Sequence, residues 1–185
     1  MKKLLALAIA LCLFCTSFAF AEAITSNGDP LQLDDFTLNL ADGMVYIPGT
    51  KETNQVLILL YPYASAGDTA TNINFVPLGT DLDFTTATVA ASAEASKATI
   101  KETLEAQGFT LDSVEFSDAV ETSLGGAPCV SIDNTMDITY LSISMTIYQR
   151  ELYVSGKGYM ITVSASDKEM LDPLMELLDA MLIWN

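Results

Sequence analysis

Apolar and polar residues alternate from Phe36 through Thr37, Leu38 and Asn39 to Leu40, the period of a half-buried strand. Ala41-Asp42-Gly43 follows as a tight turn. Met44-Val45-Tyr46-Ile47 is a second short strand, stopped by Pro48-Gly49, and the two together read as a hairpin. Residues 56–63 (VLILLYPY) are apolar on both alternating faces. That pattern predicts a strand covered on both sides and placed centrally in a sheet, with pairing weakened at Pro62, which has no N–H to donate. Residues 72–78 (NINFVPL) form a further strand candidate.

The period then changes to that of a helix, predicted from about Thr85 to Gln107. Val89, Ala93, Ile100 and Leu104 mark one face, and Glu94, Lys97, Lys101, Glu102 and Glu105 sit mainly on the other. Thr85 or Thr86 can cap its start, and Gly108 suits its left-handed end. From Leu111 the period returns to two, with Val114, Phe116 and Val120 on one parity and Asp118 interrupting. Residues 125–128 punctuate, Cys129 to Asp133 resumes a strand, and Asn134 to Asp137 reads as a turn. Leu141, Ile143, Met145 and Ile147 then face one way and Ser142, Ser144 and Thr146 the other. Ser155-Gly156-Lys157-Gly158 is a hairpin turn, from which residues 159–165 (YMITVSA) return antiparallel. The C-terminal segment carries a helical stripe of Leu174, Leu177, Leu178, Met181 and Leu182. Asp172-Pro173 fits a cap followed by proline at the first helical position. Ser166 and Glu169 have capping-box spacing for an earlier turn, and a continuous helix kinked near Pro173 is the alternative. Strands, a long helix, strands and a helix predict an α+β domain with a mainly antiparallel sheet flanked by helices.

The first 21 residues alter the domain count. Lys2 and Lys3 precede an apolar run from Leu4 to Cys15, and Ala19-Phe20-Ala21 forms an A-x-A site, so residues 1–21 read as a signal peptide cleaved near Ala21. The run is short for a membrane span, and neither Cys12 nor Cys15 follows a small residue as lipid attachment requires. Residues 22–34 read as a mobile, turn-rich lead-in and 35–185 as one domain, secreted or held in the cell envelope with no membrane insertion after cleavage. Cleavage removes two lysines and no acid, so the net charge of −16 falls two further. Cys129 is then the one remaining cysteine, and stability must come from the core. With no histidine to activate it and Asp133 nearby, Cys129 reads as a small buried hydrophobe.

Charge and composition exclude several functions. Eight Lys and Arg against 24 Asp and Glu disfavour nucleic acid and anionic lipid as partners. The absence of histidine excludes Ser-His-Asp and Cys-His catalysis within the chain. No glycine-rich phosphate loop and no C-x-x-C occurs after residue 21, and no cofactor is expected. Three groups remain as candidates. Tyr61 and Tyr63, with Asn72 and Asn74, could line a ligand groove, the rings supplying apolar area and the amides directional bonds. Asp81 and Asp83 share one side of an extended segment and could hold a hard cation or act as an acid–base pair. The recurring acids Asp112, Glu115, Asp118 and Glu121 read as a solvated strand edge.

The order of these marks resembles the PsbP-like/LpqN-like family. The segments that carry the resemblance are Tyr46-Ile47-Pro48-Gly49, Asn72-Ile73-Asn74-Phe75, the amphipathic helix, Gly126-Ala127-Pro128 and Gly158-Tyr159-Met160-Ile161-Thr162, over roughly Phe36 to Ile183. The resemblance implies an α/β/α sandwich, the fold shared with a nuclear import factor that binds the Ran GTPase, and a binding or assembly role. Lipid tethering and the metal sites of some plant members do not carry over, because the lipobox and histidine are absent. The expected function is a non-catalytic extracytoplasmic domain binding an unidentified protein or small ligand, with cationic partners favoured by the acidic surface. Two alternatives are a carboxylate-based, glycosidase-like hydrolase, which needs two acids facing across a cleft, and a calcium-binding envelope protein.

Overall fold

Backbone pairing divides the strands between two sheets. The computed structural model describes residues 23–48, 56–59, 71–78 and 82–185; residues 1–21, Tyr61, Tyr63 and Asp81 lie outside these. In chain order the strands are β1 (Ile24–Thr25), β2 (Leu31–Gln32), β3 (Phe36–Leu38), β4 (Val45–Pro48), β5 (Val56–Leu59) and β6 (Asn72–Pro77). Helix α1 (Thr86–Ala106) precedes β7 (Thr110–Phe116), β8 (Val120–Leu124), β9 (Ala127–Tyr140), β10 (Ile143–Val154) and β11 (Tyr159–Ala165). Helix α2 (Leu171–Met181) and β12 (Leu182–Trp184) complete the chain. The large sheet runs β1-β4-β5-β6-β11-β10-β9-β7, with β8 also on β9, and the small one runs β12-β3-β2. Every described pair is antiparallel.

Each face of the large sheet has its own apolar core. Helix α1 lays Val89, Ala93, Ile100 and Leu104 over Val130, Ile132, Met136, Tyr153 and Met160. On the opposite face Leu174, Leu178 and Met181 of α2, with Phe36 and Leu38 of the small sheet, cover Leu152, Ile161, Val163 and Cys129. The α+β architecture with helices on both faces is therefore the one expected. Helix α1 begins where the pattern placed it: Thr85 Oγ1 accepts from the Thr88 N–H while Thr88 Oγ1 accepts from the Thr85 N–H. It ends at Gly108, whose φ of +86° costs a glycine little. A bulge at Asp112 in β7 brings Leu111 and Val114, of opposite parity in sequence, against the same helix.

Four elements differ from expectation. The Phe36–Ile47 hairpin does not form: the turn is present, with the Met44 N–H donating to the Ala41 carbonyl, but β3 pairs with β2 and β12, and β4 with β1 and β5. The Phe36 ring stacks on Phe75 at 4.9 Å and meets Tyr159 and Trp184 edge-on, which holds β3 across the sheet face instead of beside β4. Asn134 to Asp137 is not a turn but the middle of β9, where Asn134 Nδ2 donates to Glu151 and Asp137 accepts from Ser113 and Thr146 on the neighbouring strands. The reversal falls at Leu141-Ser142, both at positive φ. At the C-terminus the expected earlier turn is present as a 3-10 turn, Lys168–Met170, though capped by Asp167 and not by Ser166, and α2 starts at Leu171 with Asp172-Pro173 inside its first turn. Proline is tolerated there because the first N–H groups have no partner within the helix. Leu182 leaves the helical stripe for β12, which pairs with β3. The segment read as a mobile lead-in carries β1 and β2, one paired into each sheet.

Candidate functional site

The strand alternation that builds the two cores also sorts the polar residues. On the α1 face the register aligns Asn74, Thr162, Glu151 and Ile132 in one row, and Asn72, Ser164, Gln149 and Asn134 in the next. These rows are interior: Asn72, Asn74 and Glu151 are 5 %, 1 % and 1 % exposed. Glu151 accepts from the Tyr153 hydroxyl at 2.6 Å and from Asn134 Nδ2 at 2.8 Å, and Gln149 donates to Ser164 at 2.9 Å. No Lys or Arg bonds to Glu151 among the described residues. Burial therefore pushes its carboxyl up to about 7, against the smaller opposing pull of the Tyr153 and Asn134 hydrogen bonds. Among the described residues Asn74 Oδ1, Asn134 Oδ1 and Thr162 Oγ1 have no hydrogen-bond partner.

The α2 face carries the exposed chemistry. Arg150 grips Asp133 with Nε at 2.7 Å and a terminal nitrogen at 2.9 Å, and reaches Asp172 in the first turn of α2 at 2.8 Å. The bond to Asp133 is the main cause that raises this guanidinium above its ordinary value. One cleft of about 740 Å³ opens beside Tyr148 and Arg150, walled by Asp133, Asp167, Glu169 and Asp172, with Lys168 at its rim. A second, of about 620 Å³, lies on the other side of Arg150 and includes Asp118 and Glu121. Arg150→Gln is expected to lower stability by about 1–2 kcal/mol, since it unpins the helix from the sheet. Chemical denaturation reads this directly; an unchanged midpoint would show that the pair is ornamental to folding.

Of the residues singled out in sequence, Asn72 and Asn74 lie side by side on β6 inside the protein, Asn74 in one row with Thr162 and Glu151. Asp83 is exposed on the approach to α1, and its neighbour Asp81, like Tyr61 and Tyr63, is outside the described residues. The acids of residues 112–121 are all exposed, as a solvated edge requires, and Asp112 accepts from Thr139. Among the described residues no three of His, Cys, Asp and Glu gather where they could hold a metal ion. Cys129 is buried and its thiol is pushed up to about 11, first by burial and then by Asp179 of α2, so the disfavouring acid is not Asp133. Glu151 escaped the sequence reading. Its one signal was a charge at an inward position of a strand, between Gln149 and Tyr153, and that parity became certain only once β10 was continuous from Ile143 to Val154.

The class that this topology defines is an α+β domain built on an antiparallel sheet with a helix on each face. No protein-family profile matches the sequence, and no curated protein does. Among solved structures the chain is similar to cyanobacterial PsbP (CyanoP) from Synechocystis sp. PCC 6803, with 11 % identity and a TM-score of 0.49 over 89 % of this chain and 92 % of that one. It is also similar to LpqN, involved in cell envelope biogenesis of Mycobacterium tuberculosis, with 12 % identity and a TM-score of 0.33 over 90 % and 92 %. Both bear the names of the family that the sequence marks resemble; the roles belong to those proteins.

Proposed function

We propose that this protein is a non-catalytic, extracytoplasmic domain that binds a partner protein or a small ligand. One observation carries the reading: the carboxyl raised toward neutrality and the open, acid-lined clefts lie on opposite faces of the sheet. The acid raised toward neutrality, Glu151, is sealed beneath α1. The open clefts lie on the α2 face, where Arg150 already occupies Asp133 and Asp172. Acid catalysis at a glycosidic bond needs the raised acid in the same cleft as its partner carboxylate. The extracytoplasmic placement rests on the signal pattern of residues 1–21. No helix among the described residues is long and apolar enough to cross a membrane.

Affinity capture from an extract of the native cell envelope tests the binding role. The expected result is one or more proteins or ligands retained by the folded protein and lost when it is unfolded. Recovery of nothing in either case overturns the reading. N-terminal sequencing of the exported protein is expected to begin at Glu22; a retained Met1 would overturn the placement.

A further inference from the structure

The β9–β10 hairpin projects beyond β11 on one side, while β7 follows β9 to Thr139 on the other. Strand β11 ends at Ala165, opposite Tyr148, whereas β10 begins at Ile143. Over Ile143–Ile147, β10 therefore has β9 on one side and no described strand on the other. Such an edge offers unpaired N–H and C=O groups as a template for another strand, and soluble proteins ordinarily guard it with charge, proline or a bulge. Here residues 138–149 contain no charged residue, no proline and no glycine.

Two features mark this edge as built for contact. Its α1-side face is apolar and open: Leu141 is 79 % exposed and Ile143 64 %, and Tyr140 and Met145 are also exposed. Tyr140 packs on Phe109, which extends the patch toward the end of α1. The turn is also strained. Leu141 and Ser142 have φ of 48° and 69°, a two-residue hairpin that ordinarily takes Asn-Gly. A leucine there is strained, because its Cβ crowds the backbone at positive φ, and it leaves a large apolar side chain at the outermost point.

Charge selects the occupant. The chain carries a net −16, so a second copy would bring like charge. The open edge leads at Tyr148 into the larger α2-side cleft, where Asp133, Asp167, Glu169 and Asp172 outnumber Arg150 and Lys168. The opposite face of the hairpin is hydroxyl and carboxylate, with Thr146 and Ser113 donating to the exposed Asp137. We propose that the open edge of β10, Ile143–Ile147, takes an extended segment of a partner protein in which apolar and basic residues alternate. That segment would be added to the sheet as a further strand. Its apolar side chains meet Ile143 and Met145 on one face, and its basic ones meet the carboxylates on the other, since residues two apart share a face. This deepens the binding role proposed above and rests on it.

A labelled short synthetic peptide alternating valine and lysine is the probe, read by fluorescence anisotropy at low salt. Binding is expected to weaken by about tenfold or more in Met145→Lys and in Ile143→Lys, which place a cation on exposed side-chain positions without touching the core. Hydrogen exchange at the amides of residues 143–147 is expected to slow when the peptide is added. The same peptide interrupted by proline, or carrying glutamate for lysine, is expected not to bind. Equal binding of the proline peptide, or unchanged binding by both variants with intact thermal melts, overturns the proposal. So does a wild-type dimer abolished by Met145→Lys, which would make the occupant a second copy. Envelope capture separates the two levels. A partner held equally by wild type and Met145→Lys rejects this edge and leaves the binding role standing, whereas no partner with either rejects the binding role itself.

Discussion

Glu151→Gln is expected to make the protein more stable than the wild type at about pH 8, by about 3 kcal/mol. The carboxyl of Glu151 has an ordinary value of 4.5 in the unfolded chain and is raised to about 7 in the fold, chiefly by burial. The sign follows from proton counting. Between these two values the folded state holds a proton that the unfolded state has released. The contribution of Glu151 to stability is therefore fully present below about 4.5, falls as pH rises, and is gone once pH passes about 7. Glutamine keeps the shape and cannot ionise, so the variant lacks that decline. Tyr153 and Asn134 lie within hydrogen-bond reach of either side chain. Urea unfolding of both proteins at several pH values from about 4 to about 8 isolates the effect, because every other titrating group is common to the pair. Curves that run parallel across this range, or a variant less stable at the alkaline end, would show that Glu151 is ionised and satisfied in the fold.

Phe36→Ala is expected to cost about 3–5 kcal/mol, the range for removing a buried phenyl ring. Phe36 is buried in the aromatic cluster of Phe75, Tyr159 and Trp184, with centroid separations of 4.9, 5.3 and 5.7 Å. These contacts join the small sheet to the large one, and β3 also ties the C-terminal strand β12 in place. Beyond the loss of global stability, the variant is expected to lose protection of the amides at 182–184 before those of the large sheet. Tryptophan fluorescence from Trp184 and hydrogen exchange give both readouts. A cost under about 1 kcal/mol would mean that the small sheet docks without this cluster.

Elements whose pattern repeats over many residues were legible in the sequence. The buried stripe of α1 and its Thr85 cap follow from spacing alone, and so does the β10–β11 hairpin with its glycine turn. The errors arose where pairing with other strands overrode the local pattern. Residues 134–137 (NTMD) read as a turn because polar residues in a row look solvent-bound, yet Asn134 donates to Glu151 and Asp137 accepts from Ser113 and Thr146, all on neighbouring strands. Conversely Leu141-Ser142 carries no turn chemistry and still reverses the chain. The asparagines of β6 were recognised as unusual, but their setting depended on Thr162, Ser164 and Glu151, brought alongside by pairing across the sheet.

What the chain alone determined was whatever depends on neighbours a few residues away: the helical stripes, the strand alternation, the α+β class, the acidity and the lack of imidazole chemistry. What the tertiary structure decided was which strands pair, and therefore which charges share a face. A side-chain period assigns a residue to one of two sides but does not say which side will be sealed. Glu151 and Arg150 are adjacent in sequence, and pairing sends one into a closed interior and the other into an open cleft. Solvation differs enough between those settings to raise one carboxyl to about neutrality while its neighbour simply binds two acids.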